Sequence, residues 1–235
     1  MRSRAARPIL HVVAGVLIDA AGHVLIAERP AGKHLAGRWE FPGGKLEPGE
    51  ERTAGLAREL HEELGITLAA TPPRPLIRVR HAYPTREVLL DTWVVRQYQG
   101  EPRGLDGQAL RWCCMEELAT VQLLPADAPI VQALRLPERL TVWQSDAYVL
   151  LAENELRLLP RSQWPAGQLR GAYADSSAQA LSAAPNADFL AMRVPLAPAE
   201  LTALCAAVGI PVYARGASLA EAWSLGASGI SDLPG

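Results

Sequence analysis

Three glutamates, Glu59, Glu62 and Glu63, are the residues whose type and spacing could do chemistry. If this segment is helical, positions i, i+3 and i+4 place all three carboxylates on one face. Like charges so placed repel one another, so a cation is expected among them. A hard divalent cation, most simply Mg²⁺ with Mn²⁺ as a substitute, prefers oxygen ligands and is commonly shared with substrate phosphates. The spacing predicts a metal site for a diphosphate-bearing substrate, and a solvated charged helix face is the alternative.

The elements that must position these carboxylates follow from the hydrophobic pattern. Leu56, Leu60 and Leu64 form one stripe and predict a helix over residues 51–64, with Gly65 just past its end. β-Branched and alternating residues predict strands on either side of this helix. The predicted strands of this part are 9–18, 23–28, 76–83, 87–98 and 110–115, a short segment at 39–41 follows a loop, and helices are expected at 115–119 and 127–134.

Composition excludes several classes of protein. The 235 residues carry a net charge of −2, which gives no support for a nucleic-acid-binding or membrane-binding surface. No segment approaches the ~18 consecutive apolar residues of a membrane-spanning helix. The three cysteines, Cys113, Cys114 and Cys205, have neither disulfide-framework nor metal-site spacing. A cytoplasmic protein is expected, and the sequence does not choose between a monomer and a homodimer.

The pattern changes near Pro137, which predicts two domains, residues 1–135 and residues 136–235. Beyond this point short apolar runs alternate with alanine-rich helical patterns, as in βα units. Strands are expected at 141–144, 147–151, 189–192 and 211–214, and helices at 198–208 and 218–225.

The glutamate-rich segment resembles the Nudix box. Its ordered set of residues is matched throughout, from Gly44 and Glu50 through Arg58-Glu59-Leu60 and Glu62-Glu63 to Gly65-Ile66. The flanks resemble the bacterial MutT-like branch, which hydrolyses oxidised purine nucleoside triphosphates. The segments that carry this second resemblance are 24–45, 107–112 and 124–129.

The resemblance implies an α/β fold, a Nudix α/β/α sandwich with a mixed sheet, and roles for individual residues. Glu59, Glu62, Glu63 and the Gly44 carbonyl would bind the metal. Arg58 would orient Glu59 through charge-assisted hydrogen bonds, and Glu50 would support the metal shell through water. Lys45 would face the phosphates, and the residues implied for the base and sugar are Arg29, His34, Phe41 and Asp127.

Two positions depart from the family pattern. Asp127 stands where asparagine is common, and an ionised carboxylate only accepts hydrogen bonds, whereas an amide also donates. Asp127 would serve if protonated, or by accepting from N–H groups of the base. Arg111 stands where a metal-assisting glutamate is frequent, and an arginine cannot ligate a metal, although it could meet a phosphate.

The last hundred residues resemble part of a thiamine-phosphate-synthase-type barrel, on the segments 187–190 and 210–230. A full barrel needs ~200 residues or more, so a smaller, reduced α/β domain resembling part of a barrel is expected, with a packing or dimerising role and without thiamine synthesis.

The expected activity is hydrolysis of an 8-oxo-dGTP-like nucleotide to monophosphate and pyrophosphate, which removes damaged nucleotides from the pool. Three alternatives stay open. They are hydrolysis of ADP-ribose or a dinucleoside polyphosphate, hydrolysis of damaged thiamine diphosphate, and nucleotide sensing without catalysis.

Overall fold

The computed structural model describes residues 8–158 and 168–233, which form two compact units. The first unit contains the chain up to Arg74 together with Val79–Val131, and the second contains Pro75–Arg78 and the chain from Gln132. The helix Ala128–Leu134 spans the point at which the units divide. A domain boundary after residue 135 therefore stays a prediction.

The first unit has the α/β/α architecture expected from the sequence. Its mixed four-stranded sheet has the order β4-β1-β7-β6, in which β1 runs parallel to β7 and antiparallel to β4. A three-stranded antiparallel sheet has the order β3-β2-β9, and β5 pairs with β8. The elements are β1 Ile9–Leu17, β2 Val24–Glu28, β3 Trp39–Glu40, β4 Gly43–Lys45, α1 Arg52–Leu64, β5 Thr67–Leu68, β6 Arg74–Ala82, β7 Glu87–Val95, β8 Tyr98–Gln99, β9 Leu110–Cys113, α2 Met115–Leu118 and α3 Ala128–Leu134.

The leucine stripe fixes α1 to the sheets. Leu56, Leu60 and Leu64 are fully buried and pack with residues of β1, β2 and β7. Gly15 of β1 lies beneath Leu60, and a Cβ at Gly15 would stand 2.9 Å from Leu60 Cδ1. Because this apolar side of α1 is buried, the direction in which the helix presents its carboxylates is set.

The second unit contains a six-stranded parallel sheet in the order β10-β15-β14-β13-β12-β11. This is the reduced, partial barrel-like α/β arrangement expected from the sequence. Its elements are β10 Arg139–Leu140, β11 Tyr148–Leu151, α4 Glu153–Leu158, β12 Leu169–Ala174, α5 Ser177–Ala183, a 3-10 turn at Ala184–Asn186, β13 Phe189–Met192, α6 Pro198–Ala207, β14 Val212–Ala214, α7 Leu219–Ser224 and β15 Gly229–Ser231.

Residues 139–145 connect the two edges of this sheet. Their first part, β10, pairs with β15, whereas Trp143 and Ser145 hydrogen-bond with β11 at 2.8 Å. Phe189 of β13 packs edge-on against Tyr148 of β11 and Tyr213 of β14, at ring-centroid distances of 5.5 and 5.9 Å. These side chains belong to a buried cluster that fills the interior. The interior is therefore a packed core.

Most of the expected elements of the first unit form close to their predicted positions. The second unit departs more, because β10 lies at Arg139–Leu140 and the strand expected at 141–144 is wrong. The sequence analysis also missed α4, β12, α5 and β15. No helix in the described segments is long and apolar enough to cross a membrane.

Candidate active site

Helix α1 is capped at both ends, which fixes the start and end of the glutamate-bearing face. The Glu51 carboxylate accepts from the backbone N–H groups of Thr53 and Ala54. Gly65 adopts a left-handed conformation with φ of 70° and donates to the His61 carbonyl. A left-handed residue at this position is favourable chiefly for glycine.

Arg58 joins the acidic residues of this face. Its guanidinium donates to both oxygens of Glu50 at 2.9 Å, to Glu59 at 2.9 Å and to Glu62 at 3.1 Å. It also donates to the Lys45 carbonyl at 3.0 Å. These bonds hold the pKa of Glu50 down to about 2 and raise the pKa of Arg58. The orienting contact expected between Arg58 and Glu59 is present, whereas Glu50 contacts the site through Arg58.

Glu63 contacts the first residue of β4. Its carboxylate accepts from the Gly43 N–H at 3.0 Å. Burial, together with the neighbouring charges of Glu40 and Glu59, raises the pKa of Glu63 to about 7. A cation placed beside this buried carboxyl group would stabilise its ionised form.

Two glycines allow β4 to lie close to its neighbours. Gly43 has φ of 147°, and a Cβ there would overlap the Val13 carbonyl of β1. A Cβ at Gly44 would overlap the carboxylate of Glu59. The Gly44 backbone is thus brought beside Glu59 as the sequence predicts, because no side chain separates them.

An open pocket of about 600 Å³, which we call the acidic pocket, lies over the glutamate-bearing face of α1. It combines acids with basic side chains, and so it can accommodate both cations and phosphate groups. It is lined by Leu10, Val12, Arg29, Lys33, His34, Glu40, Gly43, Gly44, Lys45, Glu59, Glu62, Glu63, Arg86 and Asp106.

A smaller and more apolar cavity of about 100 Å³ shares residues with the acidic pocket. We call it the base cavity. Phe41 and Asp127 line it, with exposures of 3% and 5%, and the Phe41 N–H donates to Asp127 at 3.3 Å. Burial raises the pKa of Asp127 to about 8. The carboxyl is therefore mostly protonated at neutral pH and can donate a hydrogen bond, so the departure from asparagine preserves that capacity.

Arg29 and His34 lie where the two cavities meet. The Arg29 guanidinium donates to the His34 carbonyl at 2.6 Å and forms an ion pair with Glu40. His34 packs edge-on against Tyr83 at 6.0 Å. The base cavity is lined by all four of these residues, Arg29, His34, Glu40 and Tyr83.

Several lining residues were missed by the sequence analysis. Glu40, Tyr83 and Arg86 line the base cavity, and the buried Nε of Arg86 has no hydrogen-bond partner among the described residues. Glu40 directly precedes Phe41, a predicted site residue, and this neighbouring position in the sequence could have indicated Glu40 as well. Tyr83 and Arg86 flank a turn between β6 and β7, so only tertiary structure brings them to the site.

Arg111 is separated from the acidic pocket. Its guanidinium lies 3.4 Å from Glu117 and lines neither cavity. The suggestion that it could meet a phosphate gains no support from this position.

The residues present fit a divalent cation by donor chemistry. Glu59, Glu62 and Glu63 offer oxygen ligands, and the side-chain-free Gly44 leaves its backbone close to them. Among the described residues, no three His, Cys, Asp or Glu side chains are already gathered at metal-binding distances. Arg58 is hydrogen-bonded to both Glu59 and Glu62, so metal binding would require their carboxylates to reorient.

Comparisons with known proteins match the part of the chain that contains Glu59, Glu62 and Glu63. A family model described as the NUDIX domain matches residues 13–133, just over half of the chain. A CTP pyrophosphohydrolase of Escherichia coli K12 is 40% identical over 53% of this chain and 90% of its own length. An 8-oxo-dGTP diphosphatase of the same strain is 33% identical over 54% of this chain and 96% of its own.

Among solved structures, the solution structure of the E. coli ORF135 protein aligns with a TM-score of 0.49 and 36% identity. The alignment covers 55% of this chain and 89% of that one. Nudix hydrolases act on nucleotide substrates and generally use a divalent metal. The matched segment contains all of the box glutamates and every residue that lines the two cavities except Leu10 and Val12, so the chain belongs to the Nudix family and is a Nudix pyrophosphohydrolase.

Proposed function

We propose that this protein hydrolyses an oxidised purine nucleoside triphosphate, of the 8-oxo-dGTP type, to monophosphate and pyrophosphate with Mg²⁺. The observation that carries the proposal is the junction of the base cavity with the acidic pocket through Arg29 and His34. A nucleotide placed across this junction would have its base beside Asp127 and its phosphates beside Glu59.

For the phosphates, we assign Glu59, Glu62, Glu63 and the Gly44 carbonyl to the metal. A divalent cation there would neutralise phosphate charge and polarise water. Water attacks phosphorus, a new P–O bond forms as the bridging P–O bond breaks, and pyrophosphate leaves while a carboxylate of this set takes the proton. Arg58 and Glu50 position these carboxylates, and Lys45 binds phosphate.

For the base, Asp127 supplies the specific contact. In its protonated form it can donate to a carbonyl oxygen of the base while its other oxygen accepts an N–H. The hydrogen-bond pattern of 8-oxoguanine, with an oxygen next to an N–H, matches this pair. Phe41 supplies an apolar wall, and Arg29 and His34 lie toward the sugar.

A second candidate is a pyrimidine nucleotide such as CTP, which the name of the relative with 40% identity favours. Cytosine also offers an acceptor beside a donor, so Asp127 can pair with either base.

One substrate panel tests these functions. Pyrophosphate release is measured with Mg²⁺ for 8-oxo-dGTP, dGTP, CTP, ADP-ribose and thiamine diphosphate. We expect the highest kcat/KM for 8-oxo-dGTP. A higher value for CTP would replace the purine proposal, and binding without turnover of any compound would favour nucleotide sensing.

The second unit has no assigned chemistry. We propose that residues 136–235 form a separate domain with a packing or dimerising role. Sedimentation of the full chain distinguishes a monomer from a homodimer.

A further inference from the structure

Lys33 lies on the loop between β2 and β3, at the mouth of the acidic pocket. Its Nζ is 3.7 Å from Asp106 Oδ2. Both residues line the acidic pocket, and neither lines the base cavity. Lys33 therefore lies toward the end of the site that we assign to phosphates.

The loop that carries Lys33 is internally bonded. Arg29 and Arg38 close its base, where the Arg29 N–H donates to the Arg38 carbonyl at 2.8 Å. The Arg29 side chain also donates to the carbonyl of His34, the residue next to Lys33. The position of Lys33 is thus tied to Arg29, which itself lines both cavities.

Lys33 shares the acidic pocket with carboxylates that we assign to the metal. Lys33, Glu59 and Glu63 all line this pocket. A phosphate chain bound at these carboxylates would therefore lie in the same pocket as the ammonium group, and the attraction between opposite charges increases as the distance between them falls.

The contact between Lys33 and Asp106 is easily exchanged. Their side chains are 48% and 53% exposed, and ion pairs at such exposure contribute little to stability because water screens them. A phosphate oxygen offers the same ammonium group a charge-assisted hydrogen bond. Exchange of one partner for the other therefore costs little.

We propose that Lys33 is a phosphate-binding residue that Asp106 holds at the pocket mouth until the substrate's phosphate chain replaces the carboxylate. This inference rests on the proposed function, since it requires a polyphosphate in the acidic pocket. The ligand class is a nucleoside triphosphate bound as its metal complex.

The test uses the full chain and two readouts. One is steady-state hydrolysis of 8-oxo-dGTP, and the other is calorimetric binding of inorganic tripolyphosphate with Mg²⁺. For Lys33→Met we expect KM and the tripolyphosphate Kd to rise about tenfold, with kcat changed less than about threefold because the reacting groups are untouched. Lys33→Arg should restore most of the affinity, since it keeps the charge.

The Asp106→Asn variant should change KM and Kd in the opposite direction. Removing the carboxylate frees Lys33 and removes a negative charge from the phosphate end, so KM and Kd should fall. In the Lys33→Met background the same change should have a smaller effect, because there is no ammonium group left to release.

A matched control is Arg103→Met. Arg103 pairs with Glu101 at 3.0 Å, both side chains are more than 70% exposed, and neither residue lines the acidic pocket or the base cavity. This variant should leave KM and Kd unchanged. Thermal unfolding of all variants should stay near wild type, which separates a lost ligand contact from a damaged fold.

The outcomes distinguish the two proposals. If nucleotides turn over and Lys33→Met behaves as wild type in both readouts, the Lys33 inference is wrong and the proposed function stands. If no nucleotide is hydrolysed but Lys33→Met weakens tripolyphosphate binding, the inference stands and the proposed function is wrong. Wild-type protein that does not bind tripolyphosphate also overturns the inference.

Discussion

Both oxygens of the Glu50 carboxylate accept hydrogen bonds from the Arg58 guanidinium, each at 2.9 Å. Arg58 has further bonds to Glu59 and Glu62, so Glu50 fixes the group that orients two proposed metal ligands. The first acid of the box therefore acts at a distance from the reaction, through a bidentate ion pair whose geometry is specific.

Glu50→Gln should lower kcat by about 10- to 100-fold, the usual effect of losing a residue that orients a metal ligand. Glu47→Gln is the control, because Glu47 is an exposed glutamate of the same loop. Equal kcat values for the two variants, measured at saturating Mg²⁺, would remove the positioning role.

The same pair predicts a pH effect on stability. The pKa of Glu50 is depressed to about 2 from the ordinary 4.5 by its bonds to Arg58. The pair therefore contributes stability above pH 4.5, and this contribution is lost as the pH falls toward 2. Urea unfolding of wild type and Glu50→Gln should converge over this range, and a constant difference would contradict the assignment.

Glu59→Gln should reduce kcat by about 10²-fold or more while the fold stays intact, because the variant loses a charged ligand beside Gly44. Turnover assays and circular dichroism check the two parts of this prediction. Near-normal kcat would show that Glu59 is not needed in the reaction.

Asp127 gives a second pH prediction with the opposite sign. Its pKa is raised by burial to about 8 from 3.8, so the contribution of Asp127 to stability is fully present below pH 3.8 and is lost as the pH rises toward 8. Over the upper part of this range the carboxyl also loses the proton that it would donate to the base, and KM should rise. Asp127→Asn cannot ionise and should flatten both profiles, whereas unchanged profiles would place the titration elsewhere.

Gly44→Ala should reduce activity, because the added Cβ overlaps the Glu59 carboxylate and displaces it. The displaced group is a side chain, so the loss of stability should be about 1–3 kcal/mol. Gly22→Ala is the control for activity: its positive φ of 87° makes an alanine strained, so stability should fall, but an added Cβ meets nothing within 4 Å and kcat should not change. Unimpaired kcat in Gly44→Ala would exclude Gly44 from the metal site.

In the second unit, Phe189→Ala should destabilise the fold by about 3–5 kcal/mol because it empties the centre of the aromatic cluster. Urea unfolding of the full chain, followed by circular dichroism for wild type and variant, measures this loss. A change below about 1 kcal/mol would mean that the interior is loosely packed.

The residues of α1 could be predicted from sequence because helix geometry alone relates them. A spacing of three and four residues places Glu59, Glu62 and Glu63 together, and the leucine stripe with Gly65 fixes the buried side and the end of the helix. Strands rich in β-branched residues, such as β1 and β7, were recognised for the same local reason.

Tertiary structure decided what local patterns do not encode. The protonated state of Asp127 comes from burial by residues distant in the chain, and Arg86 and Tyr83 reach the base cavity only because β6 and β7 form a hairpin beside it. The closing segment 139–145 bonds to strands at both edges of the second sheet, so its short strand could not be recognised from its own residues. Helix periodicity is a property of neighbouring residues, whereas burial, charge proximity and sheet closure arise from contacts between distant parts of the chain.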